Sequence, residues 1–213
     1  MEKLAIFDVD YTLTKRETAM EFMFFMMKKN PKFIIHFPKS VISALLYAIK
    51  IYDAGKAKEK FLGFIDGIEE KHMQDTVKEF YKKRLSKILY KDAIATMKKL
   101  KAEGYRIILI SASAEFYLNQ LYNIKEVDKV MGTRFEVVDG KHGSRIIGVN
   151  CKGEEKVKRL KEYIKKEGIQ VDFKNSYMFS DSMADLPLFK LVGKPYLINA
   201  RKKRNNIEVL YWK

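Results

Sequence analysis

Leu4-Ala5-Ile6-Phe7-Asp8-Val9-Asp10-Tyr11-Thr12 decides the reading of this chain. Leu4 to Phe7 are a short apolar run, suited to a strand buried on both faces. Where it ends, two carboxylates stand two positions apart. In that arrangement one side chain can attack an electrophile while the other moves a proton.

From Asp92 onward, helix and strand patterns alternate. A helix carrying Ile94, Met97 and Leu100 on one face is expected to end near Gly104, ahead of a strand over residues 107–110. A short helix over residues 115–122 and a brief strand near Val130-Met131 come next. Residues 135–138 and 146–148 flank Asp139-Gly140-Lys141-His142-Gly143, which predicts an antiparallel hairpin. A helix over residues 154–167, with Val157, Leu160 and Ile164 inward, and strands at residues 177–179 and 196–198 complete the pattern. The expected fold is α/β, a doubly wound parallel sheet.

Residues 14–91 carry no strong strand signal. Apolar residues recur at helical spacing in Met20, Phe24 and Met27, in Val41, Leu45 and Ala48, and in Met73, Val77 and Phe80. Asn30-Pro31 and Asp53-Ala54-Gly55 are the expected breaks. The predicted organisation is a catalytic core of residues 1–13 and 92–213 with an all-helical insert, residues 14–91, of four helices.

A chain of 213 residues with 47% apolar content can bury a sizeable core. No stretch reaches the roughly eighteen apolar residues of a membrane span. Residues 33–52 come nearest and are interrupted by His36, Pro38, Lys39 and Lys50. No cleavable signal precedes the first strand, so a soluble cytoplasmic protein is expected. The single cysteine, Cys151, excludes a disulfide framework within the chain and any multi-cysteine zinc site. The three histidines (His36, His72, His142) are scattered and none is marked as its activating base, so an inert thiol is expected. A formal charge of +15 implies attraction to anions: phosphorylated metabolites, nucleic acid or an acidic membrane surface. Lys82-Lys83-Arg84 and Arg201-Lys202-Lys203-Arg204 read as solvated faces.

Polar residues fall where an α/β sheet gathers function, at the carboxyl ends of strands. Asp8 and Asp10 follow the first strand, Ser111 the second, and Asp181 and Asp185 the strand at 177–179, with Lys156 on the helix before it. Phosphate monoester hydrolysis demands rate factors approaching ~10²¹, and a carboxylate nucleophile divides that step in two. Asp8 is the candidate nucleophile and Asp10 the candidate acid and base. Anionic attack on a phosphate dianion needs positive charge. Mg²⁺, held by Asp8, Asp181 and the backbone carbonyl of Asp10, would supply it together with Lys156. Ser111 and the backbone N–H groups near Ala112 and Ser113 are candidate phosphate donors, with Thr12 beside them. Asp185 is suited to orienting Lys156 or a water on the metal.

These residues, in this order, resemble the haloacid dehalogenase superfamily, and within it the branch with an inserted helical cap that includes the phosphoserine phosphatases. Asp8-Val9-Asp10-Tyr11-Thr12 is similar to its first motif, Ser111 to its second, Lys156 to its third and residues 181–185 to its fourth. The stretch from Gly132-Thr133 through Asp139-Gly140 to Lys156 resembles that branch in particular. The resemblance implies a nucleophilic Asp8, an acid/base Asp10 and a mobile cap. Because the superfamily's dehalogenases lack the second aspartate, it ranks phosphatase or phosphotransferase above dehalogenase. Glu17 stands where phosphoserine phosphatases carry a glutamate that contacts the substrate ammonium. Those enzymes also use a cap arginine, and no arginine occurs between Arg16 and Arg84; Lys60 is the expected substitute, without the guanidinium's two-pronged geometry. Ala184 is a further departure.

The expected activity is therefore Mg²⁺-dependent hydrolysis of a small phosphorylated metabolite, of phosphoserine type. A second reading, from the charge and the apolar run Phe22-Met23-Phe24-Phe25-Met26-Met27, is a phosphatase acting on a lipid head group at an anionic membrane surface. A third is a basic module that binds nucleic acid or membrane and carries a vestigial site. No specific nucleic acid is expected.

Overall fold

The computed structural model describes residues 1–201 and 207–213. Its strands are β1 (Lys3–Phe7), β2 (Tyr105–Ala114), β3 (Val127–Thr133), β4 (Phe135–Val138), β5 (Lys141–Ile146), β6 (Tyr177–Ser180), β7 (Lys194–Ile198) and β8 (Glu208–Leu210). The helices are α1 (Thr18–Lys29), α2 (Phe37–Ala48), α3 (Ala54–Phe61), α4 (Glu70–Lys83), α5 (Lys91–Ala102), α6 (Glu115–Leu118), α7 (Glu154–Lys166) and α8 (Leu186–Phe189).

Six strands form one parallel sheet in the order β3-β2-β1-β6-β7-β8, while β4 and β5 pair separately as an antiparallel hairpin. Side chains alternate across the sheet because the strand repeat is two residues. Leu4, Ile6, Ile108 and Ile110 pack with Leu160 of α7 and with Leu188 and Phe189 of α8. Ala5, Phe7, Ile107 and Leu109 face the opposite layer, with Met97 and Leu100 of α5, Phe22 of α1 and Phe80 of α4. Each fully buried aliphatic side chain contributes about 1.5–3 kcal/mol of transfer free energy, so this double burial fixes β1 in the middle. The order reverses at β1. The chain winds outward through β2 and β3 on one side and through β6 to β8 on the other, which makes the carboxyl end of β1 the topological switch point.

Local chemistry sets the breaks. The Asp53 carboxylate accepts from the N–H groups of Gly55 and Lys56 at 2.7 and 2.9 Å and starts α3. Gly104 and Gly168, at φ +82° and +64°, take the left-handed turn that stops α5 and α7.

Several local expectations are corrected. The buried stripe of α1 is Ala19, Phe22, Met23 and Met26 with Phe25, and Phe24 is exposed; residues 22–27 are all large and apolar, so spacing there could not select a face. Val41, Leu45 and Ala48 of α2 point outward, and the helix buries Ser40 and Ser43 instead. The second hairpin strand is Lys141–Ile146 and not residues 146–148, because Asp139 and Gly140, both at positive φ, close a tight turn. The helix expected over residues 115–122 is one α-turn, Glu115–Leu118, continued as a 3-10 helix. β2 runs on to Ala114, so Ser111 lies inside the strand, and β8 was not anticipated. The hairpin packs on the insert: Gly67 and Glu70 donate backbone hydrogen bonds to His142 and Gly140, both at 2.8 Å. Lys83 and Arg84 are ion-paired, to Glu79 at 2.6 Å and to Glu21 at 3.0 Å. Lys202, Lys203 and Arg204 lie outside the described residues. No helix among the described residues is long and apolar enough to cross a membrane.

Candidate active site

Beyond β1 the backbone folds back on itself. The N–H groups of Thr12, Leu13 and Thr14 converge on the Val9 carbonyl at 2.8–3.2 Å, and Tyr11 takes a left-handed φ of 56°. A non-glycine residue held there costs of order 1–3 kcal/mol, which the surrounding contacts must offset. Thr12 is fully buried; its hydroxyl accepts from the Asp181 N–H at 2.8 Å and faces the Asp181 carboxylate at 3.5 Å. Committed to Asp181, that hydroxyl ties the loop after β1 to the loop after β6 instead of presenting a free donor for phosphate.

Asp8 is buried beside Lys156 and Asp185. The Lys156 ammonium donates to Asp8 Oδ1 at 2.8 Å and to Asp185 Oδ2 at 2.7 Å. Asp185 Oδ2 also accepts from the Ser180 hydroxyl at 2.8 Å. Burial pushes the Asp8 carboxyl up to about 7; Lys156 opposes the shift, and the nearby carboxylates of Asp185 and Asp10 add to it. Burial works against the Lys156 charge, but the two carboxylates outweigh it and hold its pKa above the usual lysine value. Asp181 is pushed up to about 6 by burial, with Asp185 and Asp10 contributing.

Asp10 faces the insert. Its Oδ1 accepts from the Thr18 N–H at 2.7 Å, at the start of α1, and its Oδ2 accepts from the Ser113 hydroxyl. Ser111 is buried, and its hydroxyl accepts from the Ser113 N–H at 3.0 Å. Of the expected phosphate donors, then, the Ser113 N–H is already engaged. The Ala112 carbonyl accepts from Lys58 and from Thr133.

Glu17 caps α1 by accepting from the Met20 N–H at 2.8 Å. It lines a cavity of about 370 Å³ together with Met20, Tyr47, Lys58, Phe61 and Asn150. Burial and the charge of Asp10 push its carboxyl up to about 7. Across from it, burial pulls the Lys58 ammonium down to about 8, against the pull of Asp10 and Glu17. Lys58 also donates to Asn150 Oδ1 at 2.6 Å, and Asn150 accepts from the Thr133 hydroxyl at 2.9 Å. Lys60 lies elsewhere, on the wall of a separate cavity of about 510 Å³ with Lys39 and Asp66. The insert's cation at this site is therefore Lys58. The sequence carried a signal for it, since positions 54, 57, 58 and 61 share one helical face whereas 60 does not. Asn150, Thr133 and Arg159 were also missed as organisers. Arg159 is buried and ties the Gly132 and Val149 carbonyls to Glu155. Cys151 is buried, and burial pushes its thiol up to about 11, which suits an inert thiol.

No group of three or more metal-ligating side chains assembles among the described residues. The hard-oxygen groups available are the Asp8 and Asp181 carboxylates, which follow the neighbouring strands β1 and β6, and the carbonyl of Asp10 on the loop after β1. Mg²⁺ retains several waters and needs few protein ligands. Burial first, and then the charges of Asp185 and Asp10, raise both Asp8 and Asp181, and a divalent cation would favour their ionised forms. The residues fit the ion.

The site thus combines a buried carboxylate–ammonium–carboxylate cluster, a further carboxylate, Glu17, lining a cavity, and loops from β1, β2 and β6. The chain is similar to a protein of unknown function from Bordetella pertussis Tohama I, with a TM-score of 0.89 at 22% identity over 99% of this chain and 98% of that one. It is similar in fold to a substrate-bound phosphoserine phosphatase, with a TM-score of 0.66 at 20% identity over 94% of this chain and 87% of that one. Among curated relatives, it is 23% identical to the histidinol-phosphatase of Neisseria meningitidis serogroup C (strain 8013), over 93% of this chain and 91% of the relative. The model of the haloacid dehalogenase-like hydrolases matches residues 5–190, spanning every element that contributes to the cluster. The chain belongs to the haloacid dehalogenase-like hydrolase family.

Proposed function

We propose that this chain is a phosphomonoester hydrolase in which Asp8 attacks phosphorus and carries the phosphoryl group as an aspartyl-phosphate. The observation that carries the reading is the Lys156 ammonium, buried between Asp8 and Asp185 at the switch point of the sheet. It holds an attacking carboxylate in place and offsets charge on the incoming phosphoryl oxygens. Asp8 forms the O–P bond as the alkoxide leaves. Asp10 gives that alkoxide its proton and then takes one from the water that cleaves the acyl phosphate. Ser113 and the N-terminus of α1 hold Asp10 in orientation. Ser111 would donate its hydroxyl to a phosphoryl oxygen. Asp8, Asp181 and the Asp10 carbonyl would hold Mg²⁺, which would supply charge neutralisation when bound.

The division into a core of residues 1–13 and 92–213 and a cap of residues 14–91 belongs to the same proposal, with the β4–β5 hairpin serving as the cap's seat. Substrate choice rests with the cavity between Glu17 and Lys58. Histidinol phosphate and phosphoserine, the substrates named for the relative and the structural neighbour, both carry an ammonium group. Glu17 is the group that would meet one, which favours small amino-substituted phosphomonoesters. A lipid head group is the second reading, favoured by the apolar wall that Met20, Tyr47 and Phe61 give the same cavity.

The test is turnover of 4-nitrophenyl phosphate with Mg²⁺, with EDTA and in Asp8→Asn, followed by a panel containing both amino-substituted esters. Loss of turnover under EDTA and in the variant supports the mechanism. Activity that persists in Asp8→Asn overturns it.

A further inference from the structure

Helix α2 is amphipathic the wrong way round for a helix facing water. Its buried positions are Ser40 and Ser43, whose hydroxyls donate to the Phe61 and Ala57 carbonyls of the adjacent α3 at 2.8 and 2.6 Å. Its outward positions are Val41, Ile42 and Leu45, continued by Ile49 just past its end; Leu45 is 59% exposed and Ile49 64%. At 3.6 residues per turn these four fall within an arc of about 100°. The preceding 3-10 turn adds Ile34 and Ile35, the latter 75% exposed, and Ile51 follows at 62%. A contiguous apolar surface of this kind marks a docking site.

Charge identifies the occupant. Residues 22–52 contain five lysines (Lys28, Lys29, Lys32, Lys39, Lys50) and no aspartate or glutamate. Lys29 pairs with Glu79, and no described carboxylate pairs with the other four. Lys28, Lys32, Lys39 and Lys50 are exposed, on or next to the elements that carry these apolar residues. A second copy of this chain docking on the same face would set these lysines against their own counterparts, on molecules of formal charge +15 each. An anionic lipid surface accepts both features: the aliphatic side chains enter the boundary between head groups and acyl chains, and the ammonium groups meet the head-group phosphates.

We propose that the outward face of α2, with the turn before it, docks this protein on anionic phospholipid surfaces. The docking is a property of this face and does not depend on turnover at Asp8.

The test is flotation of the full chain with vesicles of phosphatidylcholine containing about one-third phosphatidylglycerol, and with pure phosphatidylcholine vesicles, at low and high salt. The expected result is binding to the anionic vesicles only, weakened by salt. Leu45→Glu with Ile49→Glu should weaken it at least tenfold, and Lys32→Glu with Lys39→Glu should do so independently, since each lysine near such a surface is worth about fivefold in affinity. All four positions are exposed, so unchanged melting temperatures are expected. Failure of the wild-type chain to float at low salt overturns the proposal, as does undiminished binding by both variants. A concentration-dependent dimer, seen by sedimentation velocity and abolished by the first variant without any vesicle binding, overturns it in favour of a second copy.

Discussion

Replacing Lys156 by methionine, which keeps all but the last atom of the side chain and removes its charge, leaves Asp8 and Asp185 facing each other without the ammonium that now lies 2.8 and 2.7 Å from them. Lys156 and Asp185 are 2% exposed and Asp8 8%, so water cannot take over. Removing one member of a buried ion cluster costs about 3–5 kcal/mol, because the remaining charges are uncompensated. For a domain of this size that is a fall in melting temperature of roughly 6–20 °C. Relief by protonation limits the loss. Asp8, already raised to about 7, would take up a proton and cease to be a nucleophile. Differential scanning calorimetry at pH 7.5 in EDTA reads the first effect, and 4-nitrophenyl phosphate turnover reads the second. Adding Asp185→Asn removes one of the stranded carboxylates and should recover more than half of the lost stability while restoring no activity. If Lys156→Met melts within about 1 kcal/mol of wild type, or if the double variant loses the sum of the two single changes, the three groups are not one electrostatic unit and the reasoning fails.

A Cβ at Gly132 would meet the Ser113 carbonyl at 2.8 Å and the Glu115 backbone at 2.8–2.9 Å, so Gly132→Ala must displace the segment that carries Ser113. Since a misplacement of about 1 Å can cost about 10²-fold in rate, kcat should fall far more than melting temperature, and steady-state kinetics with wild-type values would refute this. Glu17 is raised from 4.5 to about 7, so the folded chain binds its proton more tightly than the unfolded chain. The group's contribution to stability is full below pH 4.5 and is lost as pH rises through 7. Glu17→Gln keeps an acceptor for the Met20 N–H and should exceed wild type above pH 7 by about 1 kcal/mol, the full shift being screened by partial exposure. Urea titrations at pH 4.5 and pH 8 check it, and a variant no more stable at pH 8 sinks it.

The sheet was legible because its strands are short, continuous apolar runs separated by helix-period segments, a pattern that a parallel sheet covered on both faces requires. The positions of Asp8, Asp10, Asp181 and Asp185 just past β1 and β6 were legible for the same reason, since those strand ends could be found, whereas Ser111 lies inside β2 because that strand runs on to Ala114. What the sequence withheld was direction at the level of single side chains. Thr12 could be placed beside the site, but its commitment to Asp181 depends on β1 and β6 being neighbours, which no local pattern encodes. The hairpin's second strand begins at Lys141 because Asp139 and Gly140 both take positive φ, so residues that resembled a long loop pair from their first position.

Helix α2 makes the underlying reason concrete. Periodicity reports that the two faces of a helix differ; it says nothing of which face meets the protein. The usual inference takes the apolar side as inward because burial of apolar area dominates folding. That inference holds for Met73, Val77 and Phe80 of α4. On α2 it fails because α3 presents the carbonyls of Ala57 and Phe61, and the small hydroxyls of Ser40 and Ser43 satisfy them at close approach. A leucine turned inward at either position would bury those carbonyls against hydrocarbon and force the two helices apart. The polar groups of α3 thus direct the aliphatic side of α2 outward, and the same hydrogen bonds that seat the helix leave its apolar face in need of a surface that water does not provide.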